Sequence, residues 1–312
     1  MKLVIQIPCL NEAETLPQVL RDLPREVQGF DVVEWLVVDD GSTDGTAEVA
    51  RRGGVTHVVV HPCRRGLARA FMSGLHAALA AGADIIVNLD GDNQYCAADI
   101  PLITRPVCEG RADMAIGARP IDEIRHFSAG KKLLQFAGSW AIRMVSGTQV
   151  ADAPSGFRAI SRRAAMQVHV FSNYSYTLET IIQAGQMGLA VMSVPVRVNQ
   201  PTRPSRLLRS TAHYLWQSLS TVVRIFVLYR PFRFFMIFGM IPFSVGALIG
   251  IRFLGFFLTG HGSGRMQSLI LAAVLLLGGM SLFVVALLAD LIAANRQLLE
   301  SIDTRLRHKD GG

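Results

Sequence analysis

A doubly wound α/β domain followed by a membrane-spanning helical pair is the fold this sequence predicts, and three observations predict it. Short β-branched runs alternate with helical stretches over residues 1 to 195. Two stretches free of charge follow, Phe234 to Ile251 and Met266 to Ala289, 18 and 24 residues long. The net charge of +7 is unevenly spread: residues 1 to 195 carry 18 Lys and Arg against 20 Asp and Glu, and residues 196 to 312 carry 13 against 4. Half of the 312 residues are hydrophobic and 18% are charged, which excludes a disordered chain and leaves enough apolar side chains for a sizeable core.

Strands are predicted at Leu3 to Ile7, Val32 to Val38, Val55 to Val60, Asp84 to Leu89 and Asp113 to Gly117, with helices near 12 to 24, 44 to 52, 66 to 81 and 99 to 109. Runs such as Val58-Val59-Val60 and Ile85-Ile86-Val87 lack polar alternation, as strands buried on both faces do. The cysteines Cys9, Cys63, Cys96 and Cys108 show no Cys-x-x-Cys pairing, so reduced thiols are expected and no zinc site is legible. The apolar start, Leu3 to Ile7, is too short for a signal sequence, which predicts a cytosolic first domain.

The two charge-free stretches each approach or exceed the roughly 20 residues a helix needs to cross a bilayer, whereas buried core helices seldom occur in tandem with basic flanks. Arg203, Arg206, Arg209, Arg224, Arg230 and Arg233 precede the first, and Arg296, Arg305, Arg307 and Lys309 follow the second; between them stand Arg252 and Arg265. That bias predicts both ends of the hairpin on the cytoplasmic side of a cell (inner) membrane. The basic excess is therefore assigned to anionic lipid and not to nucleic acid. Leu208, Leu215, Leu219, Val222 and Phe226 recur at helical intervals, so 205 to 229 reads either as a helix along the membrane surface or as one packed on the first domain. The expected boundaries are 1–200 for the catalytic domain, 201–232 for basic amphipathic juxtamembrane helices, 233–294 for the hairpin and 295–312 for a basic cytoplasmic tail.

Ligands of open α/β sheets bind beyond the carboxyl ends of the strands, so the polar residues there are the candidates for chemistry. After the first strand, Asn11 and Glu12 read as a helix cap, with Glu12 in the first turn, or as site residues. After the second, Asp39-Asp40-Gly41 places adjacent carboxylates beside a glycine that would let a ligand approach. An EF-hand starting at Asp40 fails, because its twelfth position is Arg51. After the fourth, Asp90-Gly91-Asp92-Asn93-Gln94 supplies two carboxylates straddling a glycine and an amide, hard oxygen ligands for Mg²⁺ or Mn²⁺ on a diphosphate. Arg119, after the fifth strand, suits a phosphate or a surface carboxylate.

Pro8 to Glu12, Asp39 to Thr46, Asp90 to Gln94, Gly117-Ala118-Arg119 and Ser155-Gly156-Phe157-Arg158, in this order ahead of two membrane spans, closely resemble the family-2 glycosyltransferases of GT-A fold. Within that family the chain is similar to the polyprenyl-phosphate glycosyltransferases. The resemblance covers about the first 210 residues by motif and the rest by architecture. It implies a nucleotide-sugar pocket lined by Pro8, Leu10, Glu12, Val38 and Asp40 with Asp39 beside it, donor contacts from Asp90 and Gly91, and a metal held by Asp92 and Gln94 with Asp90. It also implies that Arg119 and the turn containing Ser155 and Arg158 face the acceptor phosphate, with Arg203, Arg206 and Arg209 closing over donor or acceptor. One departure stands out: relatives of the dolichol type carry an arginine four residues before that serine, where this chain has Ala151. Lys131 and Lys132 read as a substitute grip or as an exposed cationic helix face.

The implied reaction is metal-dependent, inverting transfer of a sugar from a UDP- or GDP-sugar to a membrane polyprenyl phosphate. A lipid monophosphate is already anionic at pH 7 and needs no general base, so Glu179 reads as structural or donor-contacting. A processive polysaccharide synthase would carry Gln-x-x-Arg-Trp, which is missing around Trp216; a non-catalytic membrane scaffold would have no use for Asp90 and Asp92. Gly246 and Gly250 are small enough for close helix packing, which leaves a homo-oligomer as an expectation.

Overall fold

The computed structural model describes residues 1–120, 139–140, 142–170, 176–199, 223–224, 227, 230–259 and 266–310. The expectations for Lys131, Lys132, Arg203, Arg206, Arg209 and most of the juxtamembrane segment lie outside the described residues. Two compact units divide between Ser218 and Leu219.

The first unit holds a seven-stranded sheet of β1 (Lys2–Cys9), β2 (Val32–Asp39), β3 (His57–Val60), β4 (Ile85–Asn88), β5 (Met114–Ala118), β6 (Arg158–Ser161) and β7 (Val191–Pro195). The order is β3-β2-β1-β4-β6-β5-β7. All neighbours run parallel except β6, which is antiparallel to both β4 and β5. The helices are α1 (Leu16–Asp22), α2 (Thr46–Arg52), α3 (Leu67–Ala80), α4 (Ile100–Cys108), α5 (Arg162–Gln167) and α6 (Tyr176–Gln186).

β1 is buried along seven of its eight residues, which explains its lost alternation. Leu3, Ile5 and Ile7 face the core that Leu16, Val19, Leu20, Ile100 and Ile103 close from α1 and α4. On the opposite face α3 buries Ala68, Phe71, Leu75 and Ala78, at intervals of three and four that make one helical stripe. Gly74 of α3 lies so close to the sheet that a Cβ there would stand 2.5 Å from Gln6 Oε1 and 3.2 Å from Val38 Cγ2.

Two expectations are corrected. The helix after β1 begins at Leu16, so Glu12 precedes it; its carbonyl accepts Thr15 N at 3.1 Å and Leu16 N at 2.8 Å. Asn11 caps no helix and turns the chain with φ 54°. The sheet is mixed, because Arg158 to Ser161 enters it between β4 and β5 as an antiparallel strand that a four-residue run opened by an arginine did not signal.

The second unit is built on α7 (Pro231–Leu258), 28 residues, and α8 (Met266–Asp310), 45 residues. Pro231–Leu258 and Met266–Asn295 are long and apolar enough to cross a membrane, with mean hydropathy 2.2 and 2.7 and only 11% and 17% of their apolar windows buried. Core helices of a soluble protein would be mostly buried. Glycines set their contact: a Cβ at Gly239 would stand 2.8 Å from Phe283, at Gly279 2.7 Å from Phe243, and at Gly246 3.0 Å from Leu275. As residue numbers rise along α7 they fall along α8, so the pair is antiparallel. Gly246 is thus used within the hairpin.

Candidate active site

The strand order reverses between β1 and β4, and the crevice beyond their carboxyl ends is the binding place such sheets offer. The pairings Gln6↔Asn88 and Cys9↔Asp39 bring the three motif-bearing strand ends side by side. A Cβ on Gly91 would lie 3.4 Å from Pro8 O and 3.6 Å from Glu12 Cγ, so the β4 loop rests directly on the β1 loop. Thr15 ties the two together, its one hydroxyl hydrogen shared between Glu12 Oε2 at 2.7 Å and Gly91 O at 3.1 Å.

The β1 and β2 loops are equally locked. Asn11 N donates to Ser42 Oγ at 2.9 Å, and Asn11 Oδ1 accepts Thr43 N at 2.9 Å. Glu12 N donates to Thr46 Oγ1 at 3.0 Å, while Asp44 accepts Ala13 N at 3.0 Å and Thr46 N at 3.1 Å. Burial opposes the Asp44 charge, but the Thr46 hydroxyl and these backbone donors hold its carboxyl below the usual range.

Asp39 and Asp40 are both buried at 3% exposure, and the chain itself satisfies them. Asp39 Oδ1 accepts Ser42 N at 2.9 Å. Asp40 receives His61 Nδ1 at 2.8 Å, Arg65 N at 2.9 Å and Gly66 N at 2.8 Å, and His61 Nε2 meets Ser73 Oγ at 2.9 Å. This corrects the reading of Gly41: with φ 76° and a would-be Cβ 2.5 Å from the Cys63 carbonyl carbon, it makes room for the chain's own β3–α3 loop. His61 and Ser73 had escaped sequence reasoning; the one sign of them was a histidine at a strand end, 21 residues from its aspartate.

Asp90 is the pivot. Its carboxylate packs on Gly156, where a Cβ would fall 2.5 Å from Oδ2, so only glycine fits opposite it. None of the described residues donates a hydrogen bond to that carboxylate. Burial and the neighbouring charge of Asp92 push its pKa up to about 7, against the opposing pull of Arg119 and Arg158. Asp92 Oδ1 accepts Gln94 N at 3.1 Å, closing a turn in which Asn93 adopts φ 58°. Asn88 holds the arrangement from below, donating to Gly156 O at 2.8 Å and to the Tyr176 hydroxyl at 3.0 Å while accepting Gln6 Nε2 at 2.9 Å.

Arg119 meets a carboxylate, and a buried one: Nε and Nη2 form a fork on Asp152 at 2.6 and 3.0 Å. Burial disfavours its charge, yet Tyr95, Asp152 and Asp90 together raise its pKa above the ordinary value. Asp152 was missed because nothing in the sequence links it to a residue 33 positions earlier. Ser155 and Arg158 are enclosed at 0% exposure. Arg158 donates to Ser155 O at 2.8 Å, Thr180 Oγ1 at 2.5 Å and Ala153 O at 3.0 Å, and burial lowers its pKa. Ser155 Oγ and Gly156 N both donate to the Tyr95 hydroxyl, at 3.3 and 3.2 Å. Glu179 lies buried on α6.

Among the described residues no three His, Cys, Asp or Glu side chains converge to hold an ion by themselves. The pair Asp90 and Asp92, with the Gln94 amide, suits a hard divalent ion that takes its remaining ligands from a diphosphate and water, as Mg²⁺ commonly does. A carboxylate without a hydrogen-bond donor among the described residues, and with its proton held to about pH 7, is the group such an ion would stabilise.

The family model for glycosyl transferase family 2 matches residues 4–169. An uncharacterized protein of Methanocaldococcus jannaschii is 32% identical over 201 residues, covering 63% of this chain and 81% of its own. The undecaprenyl-phosphate mannosyltransferase of Micrococcus luteus is 29% identical over 206 residues, 63% of this chain and 83% of that one. Among solved structures, glucosyl-3-phosphoglycerate synthase of Mycobacterium tuberculosis, in complex with Mn²⁺, uridine diphosphate and glucosyl-3-phosphoglycerate, superposes with a TM-score of 0.52 at 23% identity. It covers 71% of this chain and 79% of its own, a likeness of fold.

Proposed function

The chain belongs to glycosyl transferase family 2, and on that ground we propose that it transfers a sugar from a nucleoside diphosphate to the phosphate of a membrane polyprenyl phosphate. The relative from Micrococcus luteus supports the acceptor class by its name. The observation that carries the reading lies in the chain itself: two carboxylates at the end of β4, of which Asp90 has its pKa pushed up to about 7 by burial and by the charge of Asp92, in a protein that also bears two helices of membrane-crossing length.

In this reading Pro8, Leu10, Glu12, Val38, Asp39 and Asp40 form the nucleotide side of the crevice, with Asp90 and Gly91 at the diphosphate. Asp92 and Gln94 with Asp90 would hold Mg²⁺ or Mn²⁺, which neutralises charge developing on the departing diphosphate. An acceptor phosphate oxygen forms the new bond to the anomeric carbon as the bond to the diphosphate oxygen breaks, in line and with inversion. The acceptor is anionic before it arrives, so no side chain has to remove a proton. Arg119, fixed by Asp152, and Arg158, fixed by Ser155 and Ala153, supply a positive field around Asp90. Their role here is electrostatic and positional, since Arg158 is enclosed. Residues 1–200 act as the catalytic domain on the cytoplasmic face, anchored by 233–294 and flanked by the basic segments 201–232 and 295–312.

Membranes containing the chain, incubated with labelled nucleotide sugars, polyprenyl phosphate and Mn²⁺, are expected to yield label extractable into organic solvent. Label in a water-soluble polymer, or none with any donor, overturns the reading. A product that retains the donor's anomeric configuration overturns the single displacement.

A further inference from the structure

The loop that carries Asp92 and Gln94 has no strand of its own to hold it: β4 ends at Asn88 and the next helical turn begins at Ala97. Backbone carbonyls in such a loop need donors from elsewhere. One residue, Asn199, serves three of them in succession. Its side-chain amide donates to Asn93 O and to Tyr95 O, each at 3.1 Å, and its backbone N–H donates to Gln94 O at 2.9 Å. The same amide lies 3.3 Å from Asn93 Oδ1. An antiparallel bridge pairs Tyr95 with Val198, and Cys96 N donates to Arg197 O at 3.3 Å, so the segment after β7 is laid along the loop.

These contacts fall on the turn that matters for chemistry. Asn93 has φ 58°, a left-handed conformation that a residue other than glycine keeps when its surroundings over-determine it. Asp92 and Gln94 flank it, so the direction in which each side chain leaves the backbone follows from that turn. Both ends of the loop are anchored independently. Gly91 O accepts the Thr15 hydroxyl, and the buried Tyr95 ring reaches inward until its hydroxyl meets Ser155 Oγ at 3.3 Å and Gly156 N at 3.2 Å. Asn199 fixes the stretch between them. A separate clasp holds the same segment farther from the turn: Arg197 donates to Asp99 from its backbone N at 2.7 Å, from Nε at 2.9 Å and from Nη2 at 2.6 Å.

We propose that Asn199 is a positioning residue for the divalent ion, holding the turn at Asn93 so that Asp92 and Gln94 present their oxygens to one ion together. The inference rests on the reading of Asp90, Asp92 and Gln94 as the metal-holding residues of the transferase, and its test is binding, apart from transfer. Mn²⁺ is titrated into the full chain in detergent with UDP, and separately with GDP, and the free ion is followed by its electron paramagnetic resonance signal. Asn199→Asp keeps the side chain's size but turns a carboxylate toward Asn93 O, Asn93 Oδ1 and Tyr95 O, all of them acceptors. Kd for Mn²⁺ should rise about tenfold to a hundredfold, the range for losing a group that orients a metal ligand. Asn199→Ala removes the donors without adding repulsion and should give a smaller rise. Arg197→Met is the control, since it loosens the same segment at the Asp99 clasp, where the arginine is 68% exposed. It should lower the thermal unfolding midpoint in EDTA and leave Kd for Mn²⁺ near the wild-type value. Equal rises in Asn199→Asp and Arg197→Met overturn the proposal, because general loosening of the segment then explains both. An unchanged Kd in both Asn199 variants overturns it as well and leaves the transferase reading standing. A wild-type chain that takes up no Mn²⁺ with either nucleotide removes the metal-holding site and the proposal with it. A rise confined to the Asn199 variants, in a chain that makes no lipid-linked sugar with any donor, upholds the clamp and removes the acceptor reading instead.

Discussion

At Asp90 the energetics of folding meet the proposed chemistry in a single carboxyl. In the metal-free chain its folded pKa of about 7 lies above the unfolded value near 3.8, so between those values the folded chain keeps a proton that the unfolded chain has lost. Stability therefore falls as pH rises through that window, by up to about 1.4 kcal/mol per pH unit from this group. Asp90→Asn should remove that slope: denaturation midpoints without divalent cations would match the wild type near pH 4 and exceed it at pH 8, and a lower midpoint at pH 8 would contradict the assignment. Asp152 gives the opposite case. It is 1% exposed and neutralises Arg119, itself 10% exposed, so Asp152→Ala leaves a buried guanidinium unpaired and should cost about 3–5 kcal/mol. Urea unfolding followed by the fluorescence of Trp35 measures it, and Arg119→Met combined with Asp152→Leu should recover much of the loss. The sequence announced Asp90 by its Asp-Gly-Asp spacing. Asp152 carried no such signal, because a partner across 33 residues is defined only by the fold.

At the scale of elements, the loop after β2 and the loop after β3 form one interlocked piece. Asp40 receives three donors from residues 61 to 66, and Gly41 leaves the space that Cys63 and Arg64 fill. Gly41→Ala should therefore destabilise the first unit by more than the backbone strain alone and raise KM for the nucleotide sugar. Gly82→Ala is the matched control, since Gly82 has φ 80° and nothing within 4 Å of its would-be Cβ. The difference in unfolding midpoint between the two variants reads the contact; equal losses, about 1–3 kcal/mol each from the left-handed backbone, would show that the loops do not interlock. Strands marked by unbroken β-branched runs, β1, β2 and β4, and helices with a clear apolar stripe, α3 and α4, were read to within two residues. α1 was read too early because Asn11 to Thr15 looks like a helix start, whereas Asn11 turns with positive φ and its side chain serves the β2 loop. β6 was missed because its first side chain is a buried arginine, which only the ring of acceptors at Ser155, Ala153 and Thr180 makes tolerable inside a sheet.

At the scale of the molecule, the membrane-length helices were the most legible feature, since crossing a bilayer asks only for length and apolarity. Their pairing was less so. It depends on Gly239 and Gly279, where a Cβ would stand under 3.0 Å from the facing helix, and on Gly246, where it would stand at 3.0 Å. Gly279→Leu should open the hairpin and leave nucleotide binding by the first unit unchanged, because effects at sites without shared partners add independently. Calorimetric binding of the nucleotide in detergent checks this, and weakened binding would mean that the two units share energy. The sharpest separation of the two halves is Asp92→Ala. The substitution removes one of the two carboxylates that the proposed reading puts at the donor diphosphate and leaves the sequence of α7 and α8 unchanged. Transfer to polyprenyl phosphate should fall at least about a hundredfold, the order of losing one electrostatic stabiliser of a transition state, while the chain stays in membranes washed with alkaline carbonate. Retained transfer would refute the carboxylate pair as the seat of catalysis. Release into the wash would show instead that the helices of the second unit do not anchor the chain, whatever their length.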